Sequence, residues 1–271
     1  VTAALDELLD LARSTAVAAA ELIAARRAEG VEVAALKSSP VDVVTVADRE
    51  SETLIRGLLA DARPGDGFLG EETGLGDAST TGVTWVVDPI DGTVNYLYGI
   101  PAYNVSIAAV EGGADPAEWT ALAGAVVNPV LSEVYTATRG GGAFLGSRRL
   151  AVNADVDLGV ALVGTGFGYT EERRRAQAAV IGRLLPRVRD IRRMGSAALD
   201  LCSVAAGRLD AYYEQGIHPW DHAAGALIAT EAGAKVGGLG DDAPSERLAL
   251  AAHPSLYAQL ETALVESGFG Y

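Results

Sequence analysis

Hydrophobic and polar positions along this chain follow two rhythms. Leu5, Leu8, Leu9, Ala12, Ala16, Ala19 and Ile23 recur at helical spacing, which predicts a long amphipathic helix over residues 4–28, stopped by Gly30. Residues 31–44 read as a strand or loop. Leu54, Ile55, Leu58 and Leu59 mark the buried face of a second helix from Val46 to Ala62. Pro64-Gly65-Asp66-Gly67 is a turn, Phe68-Leu69 a brief strand, and the Gly/Thr-rich residues 73–82 a loop. Trp85-Val86-Val87 then opens a strand-rich region, with strands at 103–110, 121–128, 132–138 and 142–145 separated by Gly112-Gly113, Asn128-Pro129 and Gly140-Gly141-Gly142. Strands at 160–164, 188–193, 210–214 and 248–252 alternate with helices at 171–185, 195–206, 218–232 and 254–267. Helices, then strands, then alternation predict an α+β or layered α/β fold. It is read as a single domain, 1–271, with a soft boundary near residues 150–158 between lobes 1–155 and 156–271.

Composition narrows the chemistry. The chain has 271 residues and a formal net charge of −15, which argues against a direct nucleic-acid binder. An acidic protein that handles an anionic substrate must neutralise it locally, and divalent cations are the simplest means. The single cysteine, Cys202, excludes an intrachain disulfide and a cysteine-type zinc site, and its place on an apolar helix face predicts a core role. With only three histidines, oxygen ligands gain weight over a transition-metal site. No apolar run approaches a membrane span and the N-terminus lacks a signal-peptide pattern, so the expected location is the cytoplasm.

The strongest chemical signal is Asp88-Pro89-Ile90-Asp91-Gly92-Thr93 at the end of the Trp85 strand. Two carboxylates closing a buried strand are costly unless a positive group sits among them, and a hard cation such as Mg²⁺ or Ca²⁺ fits. Gly92 and Thr93 open a helix or tight turn whose free N–H groups suit an anion. Three further acidic segments stand out: Asp42–Asp48, Gly70-Glu71-Glu72 and Trp220-Asp221. Each has a plainer explanation. Asp48 completes a capping box with Thr45, Glu71-Glu72 forms a solvated turn, and Asp221 sits in a helix first turn where the dipole favours it. Spacing alone does not bring the segments together.

Taken together, these segments resemble the inositol monophosphatase family. The resemblance rests on Asp88-Pro89-Ile90-Asp91-Gly92-Thr93 preceded by Gly70-Glu71-Glu72, and on Trp220-Asp221-His222-Ala223-Ala224-Gly225-Ala226 followed by Glu231-Ala232-Gly233. Lys37-Ser38-Ser39-Pro40-Val41-Asp42-Val43-Val44-Thr45 and Gly195-Ser196-Ala197-Ala198 are similar to further family segments, and all run in family order.

The resemblance implies an αβαβα sandwich, fructose-1,6-bisphosphatase-like in class, a homodimer, two to three Mg²⁺ per subunit, inhibition by lithium, and hydrolysis of a phosphate monoester such as inositol 1-phosphate. Carried over by position, Glu71, Asp88 and the Ile90 carbonyl hold the first ion. Asp88, Asp91 and Asp221 hold the second, and Glu71 contributes to a third. Asp48 and Thr93 form a proton relay for the attacking water, with Glu72 beside them. Gly92 and Thr93 cradle the phosphate, while Gly195, Ser196, Ala197 and Glu214 contact the alcohol. Histidinol phosphate, other sugar phosphates and bisphosphates remain rival substrates. A regulatory binding protein with secondary catalysis is the rival from another class.

Overall fold

The computed structural model describes residues 2–36, 43–76, 78–112 and 118–269. The segment from Lys37 to Asp42 lies outside the described residues. The chain begins with helix α1 (Thr2–Glu29), a two-stranded ribbon of β1 (Val33–Leu36) and β2 (Val43–Thr45), and helix α2 (Val46–Ala62). Strands β3 (Gly67–Gly70), β4 (Gly74–Leu75) and β5 (Val83–Asp91) follow, then the short helix α3 (Thr93–Tyr98). Strands β6 (Asn104–Glu111), β7 (Thr120–Asn128), β8 (Glu133–Thr138), β9 (Gly142–Leu145) and β10 (Arg148–Arg149) complete an eight-stranded sheet in the order β10-β9-β8-β7-β6-β5-β3-β4. The second half supplies β11 (Leu162–Thr165), helix α4 (Glu171–Leu184), β12 (Asp190–Arg192), helix α5 (Ala197–Ala205), β13 (Ala211–Glu214) and helix α6 (Pro219–Glu231). It ends with β14 (Lys235–Gly237), β15 (Ala249–Ala252) and helix α7 (Pro254–Glu266). These strands form a five-stranded sheet, β12-β11-β13-β15-β14.

Strand alternation assembles the layers. On β5, Trp85 and Val87 face a core shared with α1 and α2, while Val86 faces one shared with α5 and α6. On β15, Ala249 and Ala251 pack towards α5 and α6, while Leu250 and Ala252 pack towards α4 and α7. Both sheets therefore bury both faces, and the order is α1/α2, large sheet, α5/α6, small sheet, α4/α7. This is the layered αβαβα arrangement. The two sheets fall on either side of residues 150–158 in sequence, and α5 and α6 are the layer that packs against both.

Several expectations change. Leu58 is exposed and Leu54 only half-buried, because the buried face of α2 carries Asp48, Ser51 and Glu52 along with Ile55 and Leu59. The strand opened by Trp85 does not stop at Val87 but runs on to Asp91. The loop 73–82 contributes the two-residue strand β4, and β14 and β10 were not anticipated. Cys202 is fully buried in the core, as expected.

Candidate active site

The site grows out of an irregularity in β5. Asp88 pairs with Ser106 of β6, yet Asp91, three residues later, pairs with Asn104, only two residues earlier. One extra residue is inserted on β5, a β-bulge at Pro89-Ile90. In a regular strand, residues three apart point to opposite faces. The bulge cancels that reversal, so Asp88 and Asp91 share the face towards α5 and α6, while Ile90 points into the α1/α2 core. Pro89 is tolerated because a bulge leaves an unpaired position. Ser51 Oγ of α2 donates to the Pro89 carbonyl at 3.2 Å, and the Ile90 N–H donates to Asp88 Oδ1 at 3.0 Å.

Asp91 is held by one oxygen. Its Oδ2 accepts from Ser196 Oγ (2.6 Å), Asn104 Nδ2 (3.0 Å) and the Ala198 N–H (2.8 Å), and the Ala197 N–H bonds the same carboxylate. Ser196 also caps α5 by accepting from the Leu199 N–H. The hydroxyl of Ser196 and the N–H of Ala197 are thus turned onto Asp91, although both residues still line the cleft. Asn95 ties α3 to the segment before α5, donating from Nδ2 to the carbonyls of Ala102 (2.7 Å) and Met194 (2.8 Å). Gly92, at φ 90°, lets the chain pass close by: a Cβ there would lie 2.8 Å from the Ala102 carbonyl oxygen and 3.2 Å from that of Gly195.

Asp48 serves two masters. Its Oδ2 accepts from the Thr45 N–H at 2.8 Å and from the Thr45 hydroxyl, the capping box that starts α2. Its Oδ1 accepts from Thr93 Oγ1 at 3.2 Å. Thr93 Oγ1 also lies 3.0 Å from the Ile90 carbonyl. One turn further on, Glu52 accepts the Glu72 N–H at 2.9 Å, and the Glu71 N–H donates to the Val87 carbonyl. Glu71 and Glu72 are half-buried and pinned between α2 and β5, not a solvated turn. Ser51, Glu52, Asn95 and Asn104 were missed from sequence. The signal for the first two was polar residues at helical spacing on the buried side of α2.

Asp221 stands in the first turn of α6, where its Oδ2 accepts the His218 N–H at 2.6 Å. Glu214 ends β13, and Tyr212 Oη donates to its Oε2 at 2.9 Å. A cleft of about 960 Å³ gathers Glu71, Asp88, Ile90, Asp91, Gly92, Thr93, Gly195, Ser196, Ala197, Glu214 and Asp221. Five separate stretches of the chain thus meet in one place, with Asp48 and Glu72 set back behind them. His222 is buried against Trp119, and burial pushes its imidazole down to about 4, so it is neutral packing.

Electrostatics define the charge that the cleft would accept. One carboxylate oxygen from each of Asp88, Asp91 and Asp221 lies within 4.8 Å of the other two. Burial, then the neighbouring charges of Glu71, Asp91 and Asp221, hold the Asp88 carboxyl well above the usual range. Asp91 and Asp221 are raised chiefly by burial. Asp48 and Glu214 are each pushed up to about 7, again mainly by burial. Buried carboxylates at this spacing repel unless neutralised, and an all-oxygen donor set fits a hard divalent cation.

A sequence model of the inositol monophosphatase family matches residues 4–268. The inositol-1-monophosphatase of Mycobacterium leprae is 51% identical over 248 residues, covering 85% of this chain and 83% of that protein. The Nus factor SuhB of Xylella fastidiosa is 40% identical over 244 residues, covering 87% of this chain and 86% of that one. Among solved structures, the extragenic suppressor protein suhB of Bartonella henselae superposes with a TM-score of 0.87 at 34% identity, over 95% of this chain and 98% of that chain. With its fold, its acidic cleft and its sequence agreeing from end to end, the chain belongs to the inositol monophosphatase family and is a phosphoric monoester hydrolase.

Proposed function

We propose that the enzyme hydrolyses inositol 1-phosphate to inositol and phosphate with Mg²⁺, by direct attack of water and without a phosphoenzyme. The observation that carries this reading is the meeting of Asp88, Asp91 and Asp221 in a cleft that also holds Glu71 and the Gly92-Thr93 helix start. Glu71, Asp88 and the Ile90 carbonyl would hold one ion. Asp88, Asp91 and Asp221 would hold a second, and Glu71 would contribute to a third. Such cations supply charge neutralisation at the phosphate and acidity to the attacking water.

The remaining roles belong to the chain. Thr93 Oγ1 accepts a hydrogen bond from the attacking water and donates to Asp48 Oδ1, so a proton leaving the water has a route to Asp48. A carboxyl pushed up to about 7 suits a base that works near neutrality. Glu72, anchored by Glu52, flanks this relay. N–H groups of Gly92 and Thr93 have no partner within the helix and would bond phosphate oxygens. On the alcohol side, Glu214 accepts from adjacent hydroxyls, and Gly195, Ser196 and Ala197 shape the wall. Ser196 and Ala197 reach the reaction through Asp91.

The decisive experiment is phosphate release from inositol 1-phosphate by the purified protein with Mg²⁺, beside histidinol phosphate and fructose 1,6-bisphosphate. No release from any of them overturns the reading. Lithium at millimolar concentration should inhibit. The proposal includes a homodimer and a cytoplasmic location. It is compatible with a chain whose described helices include none long and apolar enough to cross a membrane.

The name of the Xylella relative favours a second reading, a regulatory role separate from catalysis. An Asp88→Asn strain distinguishes them: normal growth with no phosphatase activity assigns the biological role to binding.

A further inference from the structure

The same cleft has a second electrostatic pole, formed by two arginines. Arg173 of α4 and Arg193, just after β12, both line it. Neither guanidinium makes a hydrogen bond or ion pair among the described residues. Arg174, beside them, is spent: its Nε donates to the Gly168 carbonyl at 2.7 Å. The other arginines of the neighbourhood are also spent. Arg192 pairs with Asp190, and Arg208 pairs with Glu133.

Glycines leave room for both free side chains. A Cβ at Gly216 or Gly168 would run into Arg173, and one at Gly195 would run into Arg193. Gly195 sits at φ 92°, in the left-handed region that other residues rarely adopt. Arg193 also belongs to a segment whose residues alternate in direction. Arg192 and Met194 line a separate groove on the far side, while Arg193 and Gly195 face the catalytic cleft. The direction of Arg193 is therefore fixed by the backbone.

The charge balance gives these groups a purpose. Arg193 acts on Glu214 and Asp200, drawing both carboxyls down against the larger effect of burial, yet it pairs with neither. In a chain with 21 Lys and Arg against 36 Asp and Glu, two unpaired guanidinium groups in one cleft are an unusual expense of charge. Guanidinium groups pair preferentially with phosphate and carboxylate oxygens. A neutral polyol such as inositol offers no such oxygens beyond the phosphate being cleaved, and a cationic alcohol such as histidinol would be repelled.

We infer that Arg173 and Arg193 are specificity residues that bind a second anionic group, phosphate or carboxylate, carried by the alcohol portion of the substrate. This rests on the phosphatase reading of the cleft. The enzyme then takes phosphate monoesters of anionic alcohols in addition to inositol 1-phosphate, with the scissile phosphate at the acidic pole and the second anion at the arginine pole.

The test compares kcat/KM with Mg²⁺ for three probes: inositol 1-phosphate, fructose 1,6-bisphosphate and 3-phosphoglycerate. Wild type is compared with Arg173→Gln, Arg193→Gln and the conservative Arg173→Lys. The ratio of kcat/KM for an anionic probe to that for inositol 1-phosphate should fall at least tenfold in each Gln variant, through KM more than kcat. Arg173→Lys should recover part of the loss. Loss with the bisphosphate alone assigns the second anion as phosphate, and loss with phosphoglycerate as carboxylate. Ratios within twofold of wild type for both probes overturn the inference, and leave the hydrolase reading standing if inositol 1-phosphate is still cleaved. Absence of all three activities in wild type overturns the reading on which the inference rests. A purely structural role would lower all three activities together and leave the ratios unchanged, which also overturns it.

Discussion

Thr93 Oγ1 donates to Asp48 Oδ1 across 3.2 Å, joining the first residue of α3 to the first turn of α2 over 45 positions of sequence. Asp48 meanwhile caps its own helix through Oδ2. One carboxylate thus meets both explanations that its sequence context offered. The two oxygens divide the work, so the two roles can be separated by experiment.

Asp48→Asn should keep most of the cap and lose the proton acceptor. We expect kcat to fall about 10²–10⁴-fold with little change in KM, and a stability loss of about 1 kcal/mol or less. Thr93→Val should produce the same kcat defect. Steady-state kinetics and a denaturation midpoint on each variant check this; a wild-type kcat in either removes the relay.

Asp88→Asn and Asp221→Asn should each lower activity by orders of magnitude. Each also deletes a charge from a mutually repelling buried cluster. Without metal, both variants should therefore melt at or above the wild-type temperature, and the stabilisation given by Mg²⁺ should shrink. Paired melts with Mg²⁺ and with a chelator read out both effects.

Stability without divalent cations should fall as pH rises. Asp48 and Glu214 hold their protons to about 7 in the folded chain, whereas unfolded carboxyls release theirs near about 4. Between those values the folded state binds more protons than the unfolded one. Unfolding therefore becomes easier with rising pH, most steeply up to about 7. Saturating Mg²⁺ should flatten the dependence, because a nearby cation favours the ionised form of both carboxyls and lowers the pH at which they release their protons. Melting temperatures from pH 5 to 8, with and without Mg²⁺, test the sign; a rise with pH in the metal-free protein contradicts it.

Gly92→Ala should damage the site through the backbone. The position is left-handed, which costs a non-glycine residue roughly 1–2 kcal/mol, and the new Cβ would press on the Ala102 carbonyl 2.8 Å away. A lower melting temperature with sharply reduced activity is expected. Ala at Gly57, exposed on α2 with open space around it, is the matched control.

Ser196→Ala separates support from contact. Its hydroxyl bonds Asp91 and caps α5. Losing the cap should cost about 1 kcal/mol, and loosening Asp91 should raise the Mg²⁺ concentration needed for half-maximal rate. A change in KM for inositol 1-phosphate alone would instead make Ser196 a direct substrate contact.

Much of this protein was legible in its order of residues. Helical spacing placed α1, α2 and α7 to within a few residues, apolar runs between Gly and Asn-Pro turn signals placed β6 to β9, and the resemblance of the Asp88 and Asp221 segments to one family named the site. Those signals are local, since they depend on neighbours along the chain. The buried polar face of α2 was hidden because Ser51 and Glu52 look solvent-facing until Pro89 and Glu72 are brought to them. The tertiary structure alone decided three things. A one-residue bulge in β5 turns Asp88 and Asp91 to the same face. Ser196 and Asn104 are spent on Asp91. Arg173 and Arg193 are left without partners among the described residues. Each depends on which oxygen or guanidinium finds a partner from a distant segment. Such pairing is fixed only when the layers close and water is excluded from the groups that remain.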